Sequence, residues 1–400
     1  MELRQKVGKL FIVRPEALDP EISWTSDTEL PAYALQRVND RMRRTAELYP
    51  VGGVLLYGHN ISDPQQLRIF TEEIHSLPGK PLVCIDEEGG RVSRISRNPN
   101  FSVPRFESAA ALAQIAKRGC TGRSDDLKYA GAVEPLQKQN TSAASNSGKR
   151  EEVIKPAGLS AVYEAAKAIG GYLKEYGIDL DFAPVADVNT NPCNIIIGDR
   201  ALSDKPETAA PLVADFVRGL ADAGIISCLK HFPGHGDTIE DTHSGFAVSN
   251  KDWEEISACE MQTFRAGIAA GVPMIMSAHI AVPAVTGTDI PATLSPLLLQ
   301  EKLRTELGFN GVIISDALEM GAIAQRYTSA EAAVGTFLAG ADLILNPASL
   351  PEAFEAMLSA VRSGKISEQR LDESLRRIEK VVRRSNRSTE TEFHYGFSDS

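Results

Sequence analysis

The chain contains 400 residues, 43% of them hydrophobic and 24% charged, which is typical of a soluble globular protein with a sizeable core. Its formal net charge of −11 argues against nucleic acid or an anionic membrane surface as the main partner. No apolar run approaches the roughly 18 residues that a membrane-spanning helix needs.

The cysteines and the amino terminus predict a cytoplasmic protein. The cysteines are odd in number, lie far apart and form no Cys-x-x-Cys pair, so reduced thiols are the simplest interpretation. They are Cys84, Cys120, Cys193, Cys228 and Cys259. The first residues, Met1 to Lys6, contain no apolar segment of the kind found in signal peptides.

Eight short apolar runs rich in β-forming residues occur along the chain, and each ends in polar or glycine residues. They cover 10–13, 51–57, 82–85, 178–183, 225–229, 273–276, 311–314 and 342–345. Helix-like segments such as 161–173 and 253–270 lie between most of them. This alternation predicts an α/β fold with a parallel sheet, and eight units favour a (β/α)8 TIM-type barrel. The periodicity alone also allows a doubly wound sheet.

Residues 1–385 are predicted to form a single domain. One polar stretch, 117–155, follows the third strand without a helical or strand period, and we interpret it as a long, mobile insertion. It can be a lid over the site or an ordinary surface loop. Apolar residues at helical spacing between Leu371 and Val382 predict a packed helix, and 386–400 is predicted to be a polar tail.

Polar side chains follow most of the predicted strands. They are Asp86, Asp187, Arg200, Lys230, His231, Ser277, His279, Asp316 and Asn346. In a barrel these positions converge at the carboxyl ends of the strands, where sites of this fold lie. Such a set of paired donors and acceptors suits a small, polyhydroxylated ligand such as a carbohydrate.

Two carboxylates and one histidine are candidates for catalysis. Asp316 directly follows the apolar residues 312–315. A carboxylate at the end of a strand can attack an anomeric carbon or can simply cap a helix. His243 follows Asp241 by two residues, so the aspartate can fix the tautomer of an acid/base imidazole. From position alone, Asp316 is as compatible with a helix cap as with a nucleophile, whereas the spacing of Asp241 and His243 alone favours an ordinary loop histidine.

Four motifs resemble glycoside hydrolase family 3, in particular its single-barrel β-N-acetylglucosaminidases. They are Lys-His-Phe-Pro-Gly-His-Gly-Asp-Thr over 230–238 with Asp-Thr-His over 241–243, Ile-Asp-Glu-Glu-Gly-Gly-Arg-Val over 85–92, Gly-Asp-Arg-Ala over 198–201, and Ser-Asp-Ala-Leu-Glu-Met over 315–320. Thr242 and Ala201 stand where the family usually has serine, and Ala317 stands where it usually has a second aspartate. The resemblance covers roughly 7–347 without the insertion.

The resemblance implies a role for each matching residue. Asp316 is the expected nucleophile, and Asp241 with His243 is the expected acid/base dyad. The expected sugar-binding residues are Asp86, Arg200, Lys230 and His231. His235 and Asp237 are expected to hold the shape of their loop, and Ser277 and His279 are weaker candidates for the pocket lining.

The activity implied is that of a retaining β-N-acetylhexosaminidase acting on terminal β-linked N-acetylglucosamine, with peptidoglycan fragments as the substrate class. No metal or cofactor is expected, and neither is a nucleic-acid or membrane partner. The expected oligomeric state is a monomer.

Other functions remain open at this stage. A phosphorylase or a β-glucosidase can use the same scaffold. The phosphorylase stays open because a neutral histidine repels an incoming phosphate less than a carboxylate does. A metal-dependent barrel hydrolase is a remote alternative. Its ligands would come from His231, His235, Asp237, Asp241 and His243, but Pro233 and Gly234 oppose a helical arrangement of the first two. Lys230 also has a structural interpretation, as a buried ion-pair partner of an aspartate such as Asp187.

Overall fold

The computed structural model describes residues 1–22, 34–117, 160–240 and 247–390. Nearly all of the predicted insertion and both residues of the predicted dyad, Asp241 and His243, therefore lie outside the described residues. Within the described part of the chain, no helix combines the length and the apolar character needed to cross a bilayer.

Eight parallel strands form a barrel. In chain order, the strands of the structure are β1 (Phe11–Val13), β2 (Gly53–Leu56), β3 (Leu82–Ile85), β4 (Leu180–Asp181), β5 (Ile226–Phe232), β6 (Ile239–Glu240), β7 (Ala247–Val248), β8 (Met274–Ser277), β9 (Ile280–Ala281), β10 (Val312–Ser315) and β11 (Ile344–Leu345). The order around the barrel is β1-β2-β3-β4-β5-β8-β10, with β11 on the other side of β1. A parallel bridge from Ile314 to Leu343 closes the circle. All eight predicted strands are confirmed, and the sheet is a barrel and not an open doubly wound sheet.

Helices surround this barrel and connect its strands. Those described are α1 (Leu3–Gly8), α2 (Asp40–Leu48), α3 (Pro64–His75), α4 (Ala109–Lys117), α5 (Ala161–Glu175), α6 (Pro206–Asp222), α7 (Trp253–Ala258), α8 (Glu260–Ala269), α9 (Pro283–Thr286), α10 (Gly321–Ala324), α11 (Ser329–Ala339), α12 (Leu350–Arg362) and α13 (Glu368–Glu390), with a π-helical segment over Leu297–Glu306. The helix predicted over 161–173 is confirmed. The prediction of a single helix over 253–270 is wrong. Two helices, α7 and α8, cover this range, because Cys259 leaves the helical conformation at φ −111° and ψ −82°. The break brings Glu260 to the ammonium of Lys251, 2.6 Å away.

Side chains alternate between the inside and the outside of the barrel, as the period of a strand requires. In β10, Val312 and Ile314 pack in the interior cluster, while Ile313 packs against the helices. At the amino end of the barrel, Val381 and Ile378 of α13 join the interior cluster. The predicted carboxy-terminal helix is therefore confirmed, and it covers this end. It continues to Glu390, into the range predicted to be a tail.

A small second sheet lies beside the carboxyl end of the barrel. Strand β6 pairs antiparallel with β7, and β7 pairs parallel with β9, which follows β8 almost at once. These strands flank 241–246 on both sides. Strands β6 and β7, which precede and follow 241–246 in the sequence, are therefore joined through β9 to the chain that leaves the carboxyl end of β8.

Candidate active site

The carboxyl ends of the strands surround an open cleft. Its lining consists of Leu55, Tyr57, Asp86, Glu88, Val92, Arg94, Ile196, Arg200, Lys230, His231, His235, Met276, Asp316, Ala317, Glu319, Met320 and Leu345. The predicted nucleophile, Asp316, and the four predicted sugar-binding residues are all in this set. Residues from seven different parts of the sequence thus meet where a barrel enzyme has its site.

Four charged side chains form an ionic cluster on one wall of the cleft, which we call the cleft cluster: Asp86, Glu88, Arg200 and Lys230. The ammonium of Lys230 donates to Asp86 Oδ1 at 2.7 Å and lies 2.6 Å from Glu88 Oε1. Arg200 donates to both oxygens of Glu88, each at 2.8 Å. Two cations are balanced by two carboxylates, so the cluster can be buried without an uncompensated charge. Lys230 is thus a buried ion-pair residue, but its partners are Asp86 and Glu88 and not Asp187.

Glu88 is the centre of the cleft cluster. Burial opposes its ionisation, but the charges of Lys230 and Arg200 outweigh burial and lower the pKa of Glu88 to about 2. The negative charges of Asp86 and Glu88 outweigh the burial of Lys230 and raise the pKa of its ammonium. Glu88, Lys230 and Arg200 are therefore ionised at neutral pH, and Glu88 holds both predicted sugar-binding cations in one geometry.

A second carboxylate, that of Glu87, shapes the turn between Asp86 and Arg94. It accepts hydrogen bonds from the backbone N–H groups of Arg94, Ile95 and Ser96 and from the hydroxyl of Tyr172. The distances lie between 2.6 and 2.9 Å. Glu87 is fully buried, so its neighbours Asp86 and Glu88 are directed toward the cleft.

Asp187 orients the histidine of the cleft wall. Its Oδ2 lies 2.7 Å from Nδ1 of His231, and its Oδ1 accepts the backbone N–H of His235 at 2.7 Å. Because an ionised carboxylate only accepts, Nδ1 of His231 carries the proton, which leaves Nε2 for a ligand. Burial opposes the ionisation of Asp187, yet the His231 ring and the His235 amide lower its pKa.

His235 has two features that sequence reasoning did not combine. Its ring lies in the cleft lining, and its Nδ1 is 2.7 Å from the hydroxyl of Thr238. It therefore shapes its loop, as predicted, and also faces the site. Nδ1 of His231 is bonded to Asp187 and Nδ1 of His235 is bonded to Thr238. The two histidines of the remote metal hypothesis that the structure describes therefore each have one nitrogen engaged.

Asp316 follows β10 directly and lies in the lining of the cleft. Its N–H donates to the carbonyl of Ser277 at 3.0 Å, and its Oδ1 accepts the N–H of Ala317 at 2.8 Å. The next helix, α10, begins only at Gly321 and has Met320 as its N-cap, so the helix-cap alternative for Asp316 is wrong. The carboxylate is directed by its own turn and not by a helix terminus.

The pKa of Asp316 is lowered. Burial opposes ionisation, but His279, His231, the Ala317 amide and Lys230 together outweigh it. An ionised carboxylate at the cleft is the form that a nucleophile needs.

Ser277 and His279 do not line the cleft. Their prediction as weaker candidates for the pocket lining is therefore wrong. Ser277 donates to the hydroxyl of Thr293 at 3.0 Å, and the ring of His279 lies between Thr293 and the carbonyl of Ala317. Both side chains are buried behind the turn that carries Asp316.

Arg94 is the main residue of the cleft that sequence reasoning missed. Its Nη2 is 3.9 Å from Asp86 Oδ2, and its guanidinium lies 5.8 Å from the ring centre of Tyr57. Its Nε has no hydrogen-bond partner among the described residues. The sequence feature that could have identified Arg94 is its position in the same glycine-containing turn as Asp86. Glu88 was missed in the same way, although it lies only two residues from Asp86.

The chain was compared with known proteins. The family model described as the glycosyl hydrolase family 3 N terminal domain matches residues 129–381. A beta-hexosaminidase A from Pseudoalteromonas piscicida is 32% identical over 359 residues, which is 83% of this chain but only 53% of that protein. A beta-hexosaminidase from Stenotrophomonas maltophilia is 33% identical over 77% of this chain and 80% of its own length.

The fold comparison agrees with the sequence comparison. The structure of a glycoside hydrolase family 3 beta-N-acetylglucosaminidase from a Paenibacillus species covers all of this chain with a TM-score of 0.77 and 31% identity. The present chain spans 64% of that structure. The family that the motifs predict is therefore confirmed: the chain belongs to glycosyl hydrolase family 3.

Proposed function

We propose that the chain is a retaining β-N-acetylhexosaminidase that hydrolyses terminal β-linked N-acetylglucosamine. The observation that carries the proposal is an ionised Asp316 in the same cleft as Asp86, Lys230, Arg200 and His231. Donors and acceptors of these four side chains suit the hydroxyl groups of one sugar ring. The names of the relatives from Pseudoalteromonas and Stenotrophomonas and of the Paenibacillus structure support this activity.

In the proposed reaction, a carboxylate oxygen of Asp316 attacks the anomeric carbon, and the bond from that carbon to the leaving oxygen breaks. His243, supported by Asp241, gives its proton to the leaving oxygen. His243 then takes a proton from water, and the water oxygen displaces Asp316 to release the sugar. The role of His243 rests on the motif resemblance, with β6 and β7 supporting it by anchoring both ends of its segment.

Peptidoglycan fragments are the substrate class that the family resemblance suggests for this site. A monomeric state and a cytoplasmic location likewise stay predictions.

The direct test of the activity uses two 4-nitrophenyl glycosides that differ only at the 2-position. We expect release of nitrophenolate from the N-acetyl-β-glucosaminide and at least tenfold slower release from the β-glucoside. Adding phosphate leaves the rate and the product, free N-acetylglucosamine, unchanged. Formation of a sugar 1-phosphate assigns a phosphorylase, and preference for the glucoside assigns a β-glucosidase.

The covalent intermediate is tested by trapping it. A slow fluorosugar analogue of the substrate should label one peptide, at Asp316, in a mass spectrum of the digested protein. Labelling at Glu319, which lies in the same turn, contradicts the assignment of the nucleophile.

The acid role of His243 is tested with leaving groups of different quality. His243→Ala should slow hydrolysis of a disaccharide by roughly 10²- to 10⁴-fold, because its leaving oxygen needs a proton. Formation of the glycosyl-enzyme from a dinitrophenyl glycoside should be nearly unchanged. An equal loss on both substrates assigns the acid to another residue.

A further inference from the structure

Asp316 begins a turn of four residues, 316–319, which we call the nucleophile turn. Its backbone N–H groups have partners in neighbouring strand ends: Asp316 donates to Ser277, Leu318 to Leu345 and Glu319 to Asn346, at 2.9 to 3.0 Å. The carbonyl of Ala317 accepts from the N–H of Met320 at 3.1 Å and also has a side-chain partner. Nε2 of His279 lies 2.9 Å from this oxygen.

The hydrogen bonds of His279 determine where its protons lie. A carbonyl oxygen only accepts, so Nε2 carries a proton in either charge state of the ring. Nδ1 is 3.0 Å from the hydroxyl of Thr293, which also lies 2.9 Å from the carbonyl of Ala278. The single proton of this hydroxyl can bond to Nδ1 or to the carbonyl of Ala278. His279 and Thr293 are both buried, so water does not replace these partners.

We propose that His279 is a positioning residue for the nucleophile: through the Ala317 carbonyl it holds the nucleophile turn in the geometry that presents the Asp316 carboxylate to the anomeric carbon. The inference rests on the proposed function of Asp316. His279 does not touch the substrate, because the nucleophile turn lies between it and the cleft.

Two further observations support this role. Burial lowers the pKa of His279, while the charge of Asp316 and the carbonyl of Ala317 oppose this shift by favouring the protonated ring. The groups that face Asp316 include His279, His231 and Lys230, and His279 has the largest part in lowering its pKa against burial. Loss of the ring should therefore raise the pKa of Asp316.

The chain that leaves His279 also pairs with the strand that follows the predicted dyad in the sequence. Strand β9 begins at the next residue and pairs with β7, which follows the segment of the predicted dyad. A change at His279 can therefore act on the nucleophile or on the acid/base residue. A substrate with a good leaving group separates these effects, because its first step needs no acid.

The test compares two conservative variants on a dinitrophenyl N-acetyl-β-glucosaminide. In His279→Gln, the side-chain amide can replace Nε2 as the donor to Ala317. In His279→Asn, the shorter amide reaches only the position of Nδ1. We expect His279→Asn to lower the rate constant for formation of the glycosyl-enzyme by about 10- to 100-fold, the scale of a misplaced reacting group. KM changes less than threefold, and His279→Gln keeps at least one third of the wild-type rate.

The pH profile gives a readout that a purely structural role does not move. Activity is lost as the pH falls through the pKa of Asp316, so a raised pKa moves the acidic limb of kcat/KM to higher pH. We expect this movement in both variants, because both lose the ring, whereas the loss of rate at the pH optimum is expected in His279→Asn. Equal losses in the two variants, an unchanged acidic limb in His279→Asn, or an effect on KM alone overturns the inference.

Thr293 provides a second pair of variants if His279→Asn does not fold. Thr293→Val removes the hydroxyl at Nδ1, while Thr293→Ser keeps it, and thermal melting establishes that both are folded. The valine variant should form the glycosyl-enzyme about tenfold more slowly than the serine variant; equal rates overturn the inference. A wild-type protein that forms no glycosyl-enzyme disproves the proposed function itself, whereas an active wild type with unaffected variants disproves only the role of His279.

Discussion

The two ends of the barrel each bury an ionic cluster, and the two clusters differ in how their charges are used. At the carboxyl end, the cleft cluster balances two carboxylates with two cations. At the amino end, one buried carboxylate, that of Asp342, is surrounded by Arg304, Arg370 and Arg377. We call this the base cluster. Its arginines come from the π-helical segment and from α13, so it fastens the last helix to the barrel.

The base cluster leaves no acceptor of Asp342 for a ligand. Its Oδ1 accepts from Ser374 at 2.6 Å and from Arg377 at 3.0 Å, and its Oδ2 accepts from the N–H of Ile313 at 3.0 Å and from Arg304. Burial lowers the pKa of Arg304 to about 10, which still leaves it charged at neutral pH. The cleft cluster, in contrast, borders an open cavity. A barrel thus places ligand-accessible charge at one end and charge that stabilises the fold at the other.

The largest effect on activity is expected at the carboxyl end. Asp316→Ala should reduce kcat by several powers of ten, because it removes the attacking group, while the free energy of unfolding changes little. Steady-state kinetics and urea denaturation measure the two quantities. If Asp316→Ala retains more than a few per cent of kcat, the nucleophile is a different residue.

The largest effect on stability is expected at the amino end. Asp342→Asn should lower the free energy of unfolding by about 3–5 kcal/mol, because it leaves buried arginines without their carboxylate. The kcat of the folded protein should not change. Asp372→Asn is the matched control: it breaks the more exposed pair of α13 with Lys6 and should cost at most about 1 kcal/mol. Equal stability losses in the two variants contradict the contrast between the ends.

Glu88→Gln should affect both properties, since Glu88 is buried in the cleft cluster and holds two cations of the cleft. We expect KM to rise and the free energy of unfolding to fall by about 1–3 kcal/mol at pH 7. The pKa of Glu88 is about 2 in the fold and 4.5 ordinarily, so its stabilising contribution is complete above pH 4.5.

This contribution is lost as the pH falls from 4.5 toward 2. Urea denaturation at several pH values should therefore show the difference between wild type and Glu88→Gln shrinking over that range. Glu379→Gln, which changes the exposed pair with Arg383, should show almost no difference at any pH. A difference for Glu88→Gln that is constant with pH contradicts the ionised state of Glu88.

The smallest effect is expected for Arg94→Gln. Its guanidinium borders the cleft and has an unbonded Nε, so we expect a loss of about one charged hydrogen bond to the sugar, or roughly a tenfold rise in KM. Stability should not change measurably. Arg97→Gln alters an exposed arginine of the same segment and should leave KM unchanged. Equal KM values for the two variants remove Arg94 from the binding site.

Much of the fold was predictable because it depends on local patterns. Strands such as 312–315 are short apolar runs that end in polar residues, and this pattern requires no knowledge of distant parts of the chain. The break at Cys259 was not predictable, because the helical period continues across it. The inward turn of Glu260 toward Lys251 depends on the tertiary structure.

The site residues were likewise predictable from local patterns, whereas their contacts with one another were not. Lys230 and Asp86 were identifiable one by one, from their strand ends and their motifs. Their pairing was not, because they are 144 positions apart in the sequence. For the same reason, sequence reasoning offered Asp187 as a partner of Lys230, whereas Asp187 binds His231.

The eight strands, the family and the residues of the cleft could be read from the sequence, because strand period and contiguous motifs are properties of neighbouring residues. The closure of the sheet into a barrel and the pairing of charges depend on the folded chain. The tertiary structure joined Glu88 to Arg200 across 112 positions, placed His279 behind the nucleophile turn and gathered three arginines on Asp342. Ion pairing depends on distance in space and on burial, and neither quantity is written in the order of the residues.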